Sequence, residues 1–287
     1  MARLLAVFAH PDDETFGPGG TLARYAASGV EVHYACATRG EAGEVAEESL
    51  NGYEDVAHLR TAEVECAARI LGIQEVHFLG YRDSGMPGSE DNLHPKSLQQ
   101  APDQEVIGRI VALIRRLRPQ VLITFDPHGG YGHPDHVKIH RVTTEAFYAA
   151  PDPERFPEQQ KEQGLTPHQV QRLYYTAFPR RLLKFWLFYL PLVGKDPSRW
   201  GVNQDIDLRQ IAEWSQNITT QIDVRRHLKR KMEASACHLS QMAPMRDIWL
   251  PDWLRRRLMG VESFTRAYPP VTNRAKLERD LFAGIGR

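Results

Sequence analysis

Apolar positions in the first 150 residues fall into two alternating patterns, short unbroken runs and longer stretches at helical spacing. Residues 3–9 (RLLAVFA) are an apolar run of strand length, residues 20–28 read as a helix stopped by Gly29, and residues 30–38 form the next strand-like run. Residues 55–71 carry Val56, Leu59, Val64, Ala67, Ala68 and Leu71 near helical spacing, with Gly72 as a stop before a strand at 75–79. Residues 103–117 repeat the pattern through Val106, Ile110, Leu113 and Leu117, ahead of a strand at 120–125 and a helix from about Asp135. The predicted order is βαβαβαβ followed by a helix. Short apolar strands joined by amphipathic helices predict an α/β fold, a Rossmann-like, mostly parallel sheet with helices on both faces. Ligands of such sheets collect beyond the carboxyl ends of the strands, and the polar segments after Ala9, Thr38, Leu79 and Phe125 all fall at that edge.

Beyond residue 150 the pattern weakens into a C-terminal elaboration. Residues 151–167, rich in Pro, Glu and Gln, predict an exposed linker or insertion, followed by a strand at 173–178. Residues 180–200 are basic and aromatic; a packed helix or subunit contact is the preferred reading over a lid or membrane-surface helix. Residues 219–238 predict a surface helix, and another strand-like run lies near 263–267.

The 287 residues include 36 Lys+Arg and 36 Asp+Glu, which excludes a disordered acidic chain and a broadly basic nucleic-acid binder. The amino terminus lacks a secretory signal's cleavage site, and the longest apolar stretch, 182–193, falls short of the roughly 20 residues a membrane span needs. A soluble protein without a membrane span is expected. Cys36, Cys66 and Cys237 show no CxxC spacing and are odd in number, which predicts small buried apolar groups and a cytoplasmic, reducing location.

Two clusters stand out at the ligand-binding edge. His10-Pro11-Asp12-Asp13-Glu14 follows the first strand and sets three carboxylates beside an imidazole, a repulsive arrangement that a divalent cation would relieve. Asp126 to His136 follows the fourth strand with three histidines and three glycines, and its Pro134-Asp135 pair suits a helix start. At a topological switch point the two clusters would meet. Imidazole and carboxylate donors without thiolate suit zinc or another borderline ion, and two His plus one Asp would leave room for water. Of the adjacent Asp12 and Asp13, one could bind the ion while the other serves as base.

These residues resemble the PIG-L/LmbE-like N-deacetylases. The resemblance rests on AHPDDE (9–14), T-x-G-E-x-G-E (38–44) and GGYGHPDH (129–136), and covers about residues 3–145. It implies that His10, Asp13 and His136 bind Zn2+, with Fe2+ as the other candidate, and that Asp12 is the general base. It also implies that His133 is an electrostatic or acid partner steadied by Asp135, and that Tyr131 helps polarise the amide oxygen. Glu44, Arg60 and Asp83 would bind the substrate, a polar turn being the competing reading of Asp83. The expected substrate is a small N-acetylglucosaminyl compound that loses its acetyl group. An amidase on a larger conjugate, a metal phosphoesterase and a noncatalytic sugar-binding module are the other readings. The chain is read as one domain, a metal-binding core at 1–150 and a substrate-shaping part at 151–287, with self-association left open. Glu14 is expected to support the ligands, His140 to stay outside them, and His94, His168, His227 and His238 to be ordinary histidines.

Overall fold

The structure is a computed structural model describing residues 1–199, 206–214, 217–241, 251–271 and 276–285. Its strands are β1 (Arg3–Phe8), β2 (Glu31–Cys36), β3 (Glu75–Phe78), β4 (Val121–Thr124), β5 (Arg172–Ala177), β6 (Thr220–Asp223) and β7 (Val261–Tyr268). They form one sheet in the order β3-β2-β1-β4-β5-β7-β6. The pairs from β3 through β5 are parallel, and β7 and β6 add an antiparallel edge. Leu4 through Phe8 are all fully buried, so β1 shows an apolar run instead of alternation because both its faces are covered. Burying each such Leu or Phe side chain is worth about 1.5–3 kcal/mol.

The helices are α1 (Asp13–Phe16), α2 (Gly19–Ala27), α3 (Val56–Leu71), α4 (Asp103–Leu117), α5 (Gly129–Gly132), α6 (Pro134–Ala149), α7 (Pro157–Gln163), α8 (Arg180–Leu192), α9 (Leu208–Glu213), α10 (Leu228–Ser235) and α11 (Asp252–Met259). Local chemistry fixes several ends. The Asp55 side chain accepts the His58 N–H at the start of α3, and Gly72 takes the left-handed conformation that ends it. Pro134 opens α6, where its missing N–H costs nothing, and the His133 side chain caps the Asp135 N–H.

The α/β architecture agrees with the sequence pattern. Between β1 and its neighbours β2 and β4 lies the switch point, so the segments after β1 and β4 leave the sheet side by side.

The C-terminal part differs in detail. Residues 219–238 are not one helix, because Thr220–Asp223 pairs antiparallel with β7 as β6 before α10 begins. The stretch 151–167 contains α7, anchored by the buried Arg115 guanidinium, which donates to the carbonyls of Ala150, Asp152, Arg155 and Phe156. The basic aromatic stretch forms α8, which packs on α9 through Leu183, Leu190, Leu208 and Ile211; Trp200, its last residue, lies outside the described residues. Cys66 and Cys237 are joined in a disulfide across 171 residues, and Cys36 is free and buried. This corrects the expectation of three unpaired thiols and removes the cysteines as an argument for a reducing compartment. No helix among the described residues is long and apolar enough to cross a membrane.

Candidate active site

The segment after β1 is held by its backbone. Tyr34 Oη donates to the His10 carbonyl at 2.6 Å and Thr38 Oγ1 to the Ala9 carbonyl at 3.0 Å. Asp13 Oδ2 accepts the N–H groups of His10 (2.8 Å) and Ala9 (3.2 Å), which fixes that carboxylate relative to the imidazole three residues earlier. Asp12 takes a φ of 124°, a conformation that costs a non-glycine residue about 1–3 kcal/mol. Two contacts hold it there: its N–H donates to Glu14 Oε2 at 3.0 Å, and its Oδ2 accepts from Arg60 Nη2 at 3.1 Å.

The segment after β4 enters through α5 and turns into α6. Gly129 has φ 64°, and a Cβ there would collide with the side chain and backbone of His136, so glycine is required for the close passage. His136 Nδ1 meets the Gly129 carbonyl at 3.0 Å, and the Phe125 ring stacks on the imidazole with centroids 3.9 Å apart. The other nitrogen, Nε2, therefore points at the first cluster.

There the donors converge. His136 Nε2 lies 3.0 Å from His10 Nδ1 and 3.5 Å from Asp13 Oδ1, and His10 Nδ1 lies 3.8 Å from Asp13 Oδ2. Ligand atoms of a tetrahedral zinc, each about 2.1 Å from the ion, sit roughly 3.4 Å from one another, so this spacing fits one small cation. The back of His10 is pinned as well, its Nε2 lying 3.2 Å from Asp83 Oδ1 and 3.4 Å from Asp135 Oδ2. A carboxylate behind a histidine fixes its tautomer and raises its basicity toward a metal. His133 is close enough to join His10 and His136 as a donor group. However, its Nδ1 accepts the Asp135 N–H at 3.2 Å, so the neutral ring carries its proton on Nε2 and offers a donor instead of a lone pair.

The electrostatics reflect the crowding. Burial, and then the charge of Asp12, push Asp13 up to about 8. Burial also raises Asp12, with Arg60 opposing. Burial disfavours charge on His10, but the carboxylates of Asp83, Asp135 and Asp13 outweigh it and lift its pKa. Burial and the neighbouring His10 charge lower His136, and lower His133 to about 4. So many buried carboxylates demand protons or a cation among them, and a divalent ion answers that demand with the donors already in place.

Several predicted residues occupy places other than those expected. Arg60 is buried and donates to the carbonyls of Pro11 and Gly40 as well as to Asp12, so it braces Asp12 where contact with a sugar hydroxyl was expected. Asp83 faces His10 and accepts the Gly85 N–H, which makes it a support for an imidazole before any substrate. Glu44 is exposed. The Asp135 backbone N–H donates to His133, while its carboxylate lies against His10 and accepts the Ser84 N–H. Burial, with the neighbouring His10, disfavours a charged His133 ring. Tyr131 sits on α5 with its ring centroid 4.9 Å from that of His136, packed against the α8–α9 cluster. His140 stays outside the convergence, its Nδ1 meeting the Phe125 carbonyl at 2.8 Å.

Two contributors were missed. His238, read as an ordinary histidine, is fully buried with Nε2 2.7 Å from Glu14 Oε1. Glu41 accepts the N–H groups of Asp83 and Arg39. His238 lies 224 residues from Glu14, so no local signal could have paired them.

A family model described as GlcNAc-PI de-N-acetylase (PIG-L) matches residues 5–147. A protein of Thermobispora bispora named 1D-myo-inositol 2-acetamido-2-deoxy-alpha-D-glucopyranoside deacetylase is 37% identical, with 99% of each chain covered. A protein of the same name from Thermobifida fusca is 36% identical over 98% of this chain and 99% of its own. Among solved structures, N,N'-diacetylchitobiose deacetylase from Pyrococcus horikoshii shares the fold at a TM-score of 0.61 and 21% identity, covering 92% of this chain and 83% of that one. GalB, the 4-carboxy-2-hydroxymuconate hydratase from Pseudomonas putida KT2440, gives the same TM-score of 0.61 and 21% identity, covering 96% of this chain and all of its own. A deacetylase and a hydratase on one architecture mean that the fold alone does not select the reaction. The end-to-end identity to the two bacterial relatives does settle the kinship: the chain belongs to the GlcNAc-PI de-N-acetylase (PIG-L) family.

Proposed function

We propose that this chain is a divalent-metal-dependent deacetylase that hydrolyses the N-acetyl group of a small N-acetylglucosaminyl compound, with a glucosaminyl inositol as the first candidate. The observation that carries the reading is the convergence of His10, Asp13 and His136 beside a braced Asp12, in a chain whose full-length relatives bear that deacetylase name. A zinc ion held by those three side chains, or Fe2+ in its place, would supply Lewis acidity toward a water molecule and the amide carbonyl.

The remaining work falls to the chain. Asp12, its basicity raised by burial, takes a proton from the attacking water at its carboxylate and returns it to the leaving nitrogen. The water oxygen bonds to the carbonyl carbon, the C–N bond breaks, and acetate and a free amine leave. His133, with its proton on Nε2, and the phenol of Tyr131 are the donors for the negative charge that develops on the carbonyl oxygen. Residues 1–150 serve as the metal-binding core, and residues 151–287 shape the substrate space. The packing of α8 and α9 against Tyr131, and of Trp214 on His128 with ring centroids 4.7 Å apart, supports that division.

The test is an amine-release assay of the chain supplied with Zn2+ or Fe2+. Its panel is N-acetylglucosaminyl inositol, the corresponding malate glycoside, N,N'-diacetylchitobiose, a larger glucosaminyl amide and a glucosaminyl phosphate. Equal yields of acetate and amine from the inositol compound are expected. Release of phosphate alone, or of no amine from any member, would overturn the reading.

A further inference from the structure

The amino ends of β2 and β3 carry a second group of donors that the reaction at the opposite edge leaves unused. His33 is the third residue of β2, and Glu75 and His77 are the first and third of β3, which is an edge strand. Parallel pairing sets His33 opposite Glu75 and Ala35 opposite His77. Side chains two apart on a strand share a face, so all three lie together, with the two histidines as diagonal neighbours. His33 Nδ1 is 3.2 Å from His77 Nε2, and one donor atom from each of the three residues falls within 4.8 Å of the others. The rings are tilted by 30° with centroids 5.4 Å apart, so they meet by their nitrogens and not by their faces. Glu75 is exposed, and its Oε1 lies 3.5 Å behind His77 Nδ1.

We propose that His33, His77 and Glu75 form a second divalent-metal site, separate from the catalytic centre, for a borderline transition ion such as Zn2+, Ni2+ or Cu2+. The donor set selects that class: two imidazoles and one carboxylate suit these ions, whereas Mg2+ and Ca2+ take oxygen ligands. The spacing of the two nitrogens matches the roughly 3.4 Å between ligands of a tetrahedral ion. Glu75 either orients His77 from behind or turns inward as a third ligand, and both arrangements strengthen binding. Burial lowers the pKa of both imidazoles, which keeps their lone pairs available at neutral pH. The other charges facing them are Arg116 beside His77, and Arg3 and Glu31 beside His33, the last two paired with each other at 2.5 Å.

His33 is level with Leu5, five residues before His10, which at about 3.3 Å per residue sets the two sites roughly 16 Å apart along the strand. Such an ion would clamp the short edge strand β3 to β2 without touching the reacting groups. The competing account is a plain hydrogen bond between the two imidazoles, with no ion.

Equilibrium dialysis of the metal-stripped full chain against Zn2+, read by elemental analysis, separates the two. His77→Gln is expected to bind one equivalent fewer than the unmodified chain and to lose part of the thermal stabilisation given by Zn2+. Glu75→Gln, at an exposed position, should weaken the same equivalent about 10-fold or more. His136→Ala should remove a different equivalent, so that the double variant with His77→Gln loses both. If His77→Gln and Glu75→Gln both retain Zn2+ like the unmodified chain, the site does not exist, whatever becomes of the His136 variant.

Discussion

The carboxyl ends of the parallel strands and the C-terminal segment 231–241 both touch the reaction centre, but they treat polar groups differently. Beyond β1 and β4 the buried nitrogens and oxygens converge on one point with lone pairs left over, at His10 Nδ1, His136 Nε2 and Asp13 Oδ1. In segment 231–241 the buried polar groups, His238 Nδ1 excepted, are spent on partners. Lys231 donates to Glu262 and to the Gly17 carbonyl, His238 meets Glu14, and Ser240 donates to Glu63. Glu262 in turn accepts the N–H groups of Gly20 and Thr21 at the start of α2, where a carboxylate is favoured. Unspent donors suit chemistry and satisfied ones suit support. The contrast assigns reactivity to the first region and positioning to the second.

The largest effect that could break this assignment lies in the first region. Asp12→Ala should reduce deacetylation about 10²–10⁴-fold while metal content stays near that of the unmodified chain, since Asp12 is not among the converging donors. His136→Ala should lose the ion as well as the activity. Turnover by Asp12→Ala equal to that of the unmodified chain would remove it as the base, and full metal retention by His136→Ala, read by elemental analysis, would remove that ligand.

In the second region, a loss of stability without a loss of chemistry is expected. Lys231→Met leaves the buried Glu262 carboxylate facing only N–H groups, a change worth about 3–5 kcal/mol when one partner of a buried pair is removed. The denaturation midpoint in urea should fall accordingly, while kcat per folded molecule holds. A variant with intact stability and collapsed kcat would move Lys231 out of its supporting role and blur the division between the two regions.

The same division explains what could be read from the sequence. Unbroken apolar runs such as LLAVF and helical spacing in 55–71 report local structure, because a parallel sheet buries its strands on both faces and each crossover helix shows a single buried stripe. The converging donors were legible for a related reason: each cluster is contiguous, and the switch point brings the two ends together. The supports were not. Arg60 reads as a substrate-binding residue until it is seen to reach 48 positions back to Asp12, and Cys66 finds Cys237 across 171 residues with no motif to announce it. Thr220–Asp223 becomes a strand because β7 offers an antiparallel edge, a tertiary effect that outweighs the helical look of its neighbours. Long-range pairings of this kind leave no trace in spacing, so the Arg60–Asp12 and His238–Glu14 contacts stayed hidden while the contiguous cluster at 10–14 did not.

The smallest of these effects is also the sharpest probe of the boundary between the regions, because His238 belongs to the second yet acts on the first. Its Nε2 holds Glu14, whose other oxygen accepts the Asp12 N–H. Burial opposes charge on His238, but the Glu14 carboxylate prevails and its pKa is raised above the ordinary 6.5. A group whose pKa is raised on folding contributes its full stabilisation below the unfolded value, and that contribution drains away as pH climbs through the folded value. His238→Gln should therefore be less stable than the unmodified chain by about 1.5–3 kcal/mol at pH 6, the range for a hydrogen bond to a charged group, and the gap should narrow as the solution becomes alkaline. With Glu14 less firmly held, kcat should fall while KM stays put, as expected for a residue that positions the base without touching substrate. Melting curves across pH, paired with steady-state kinetics, check both halves. A stability gap that widens with rising pH would show that His238 is held neutral and that the tie to Glu14 is not an ion pair.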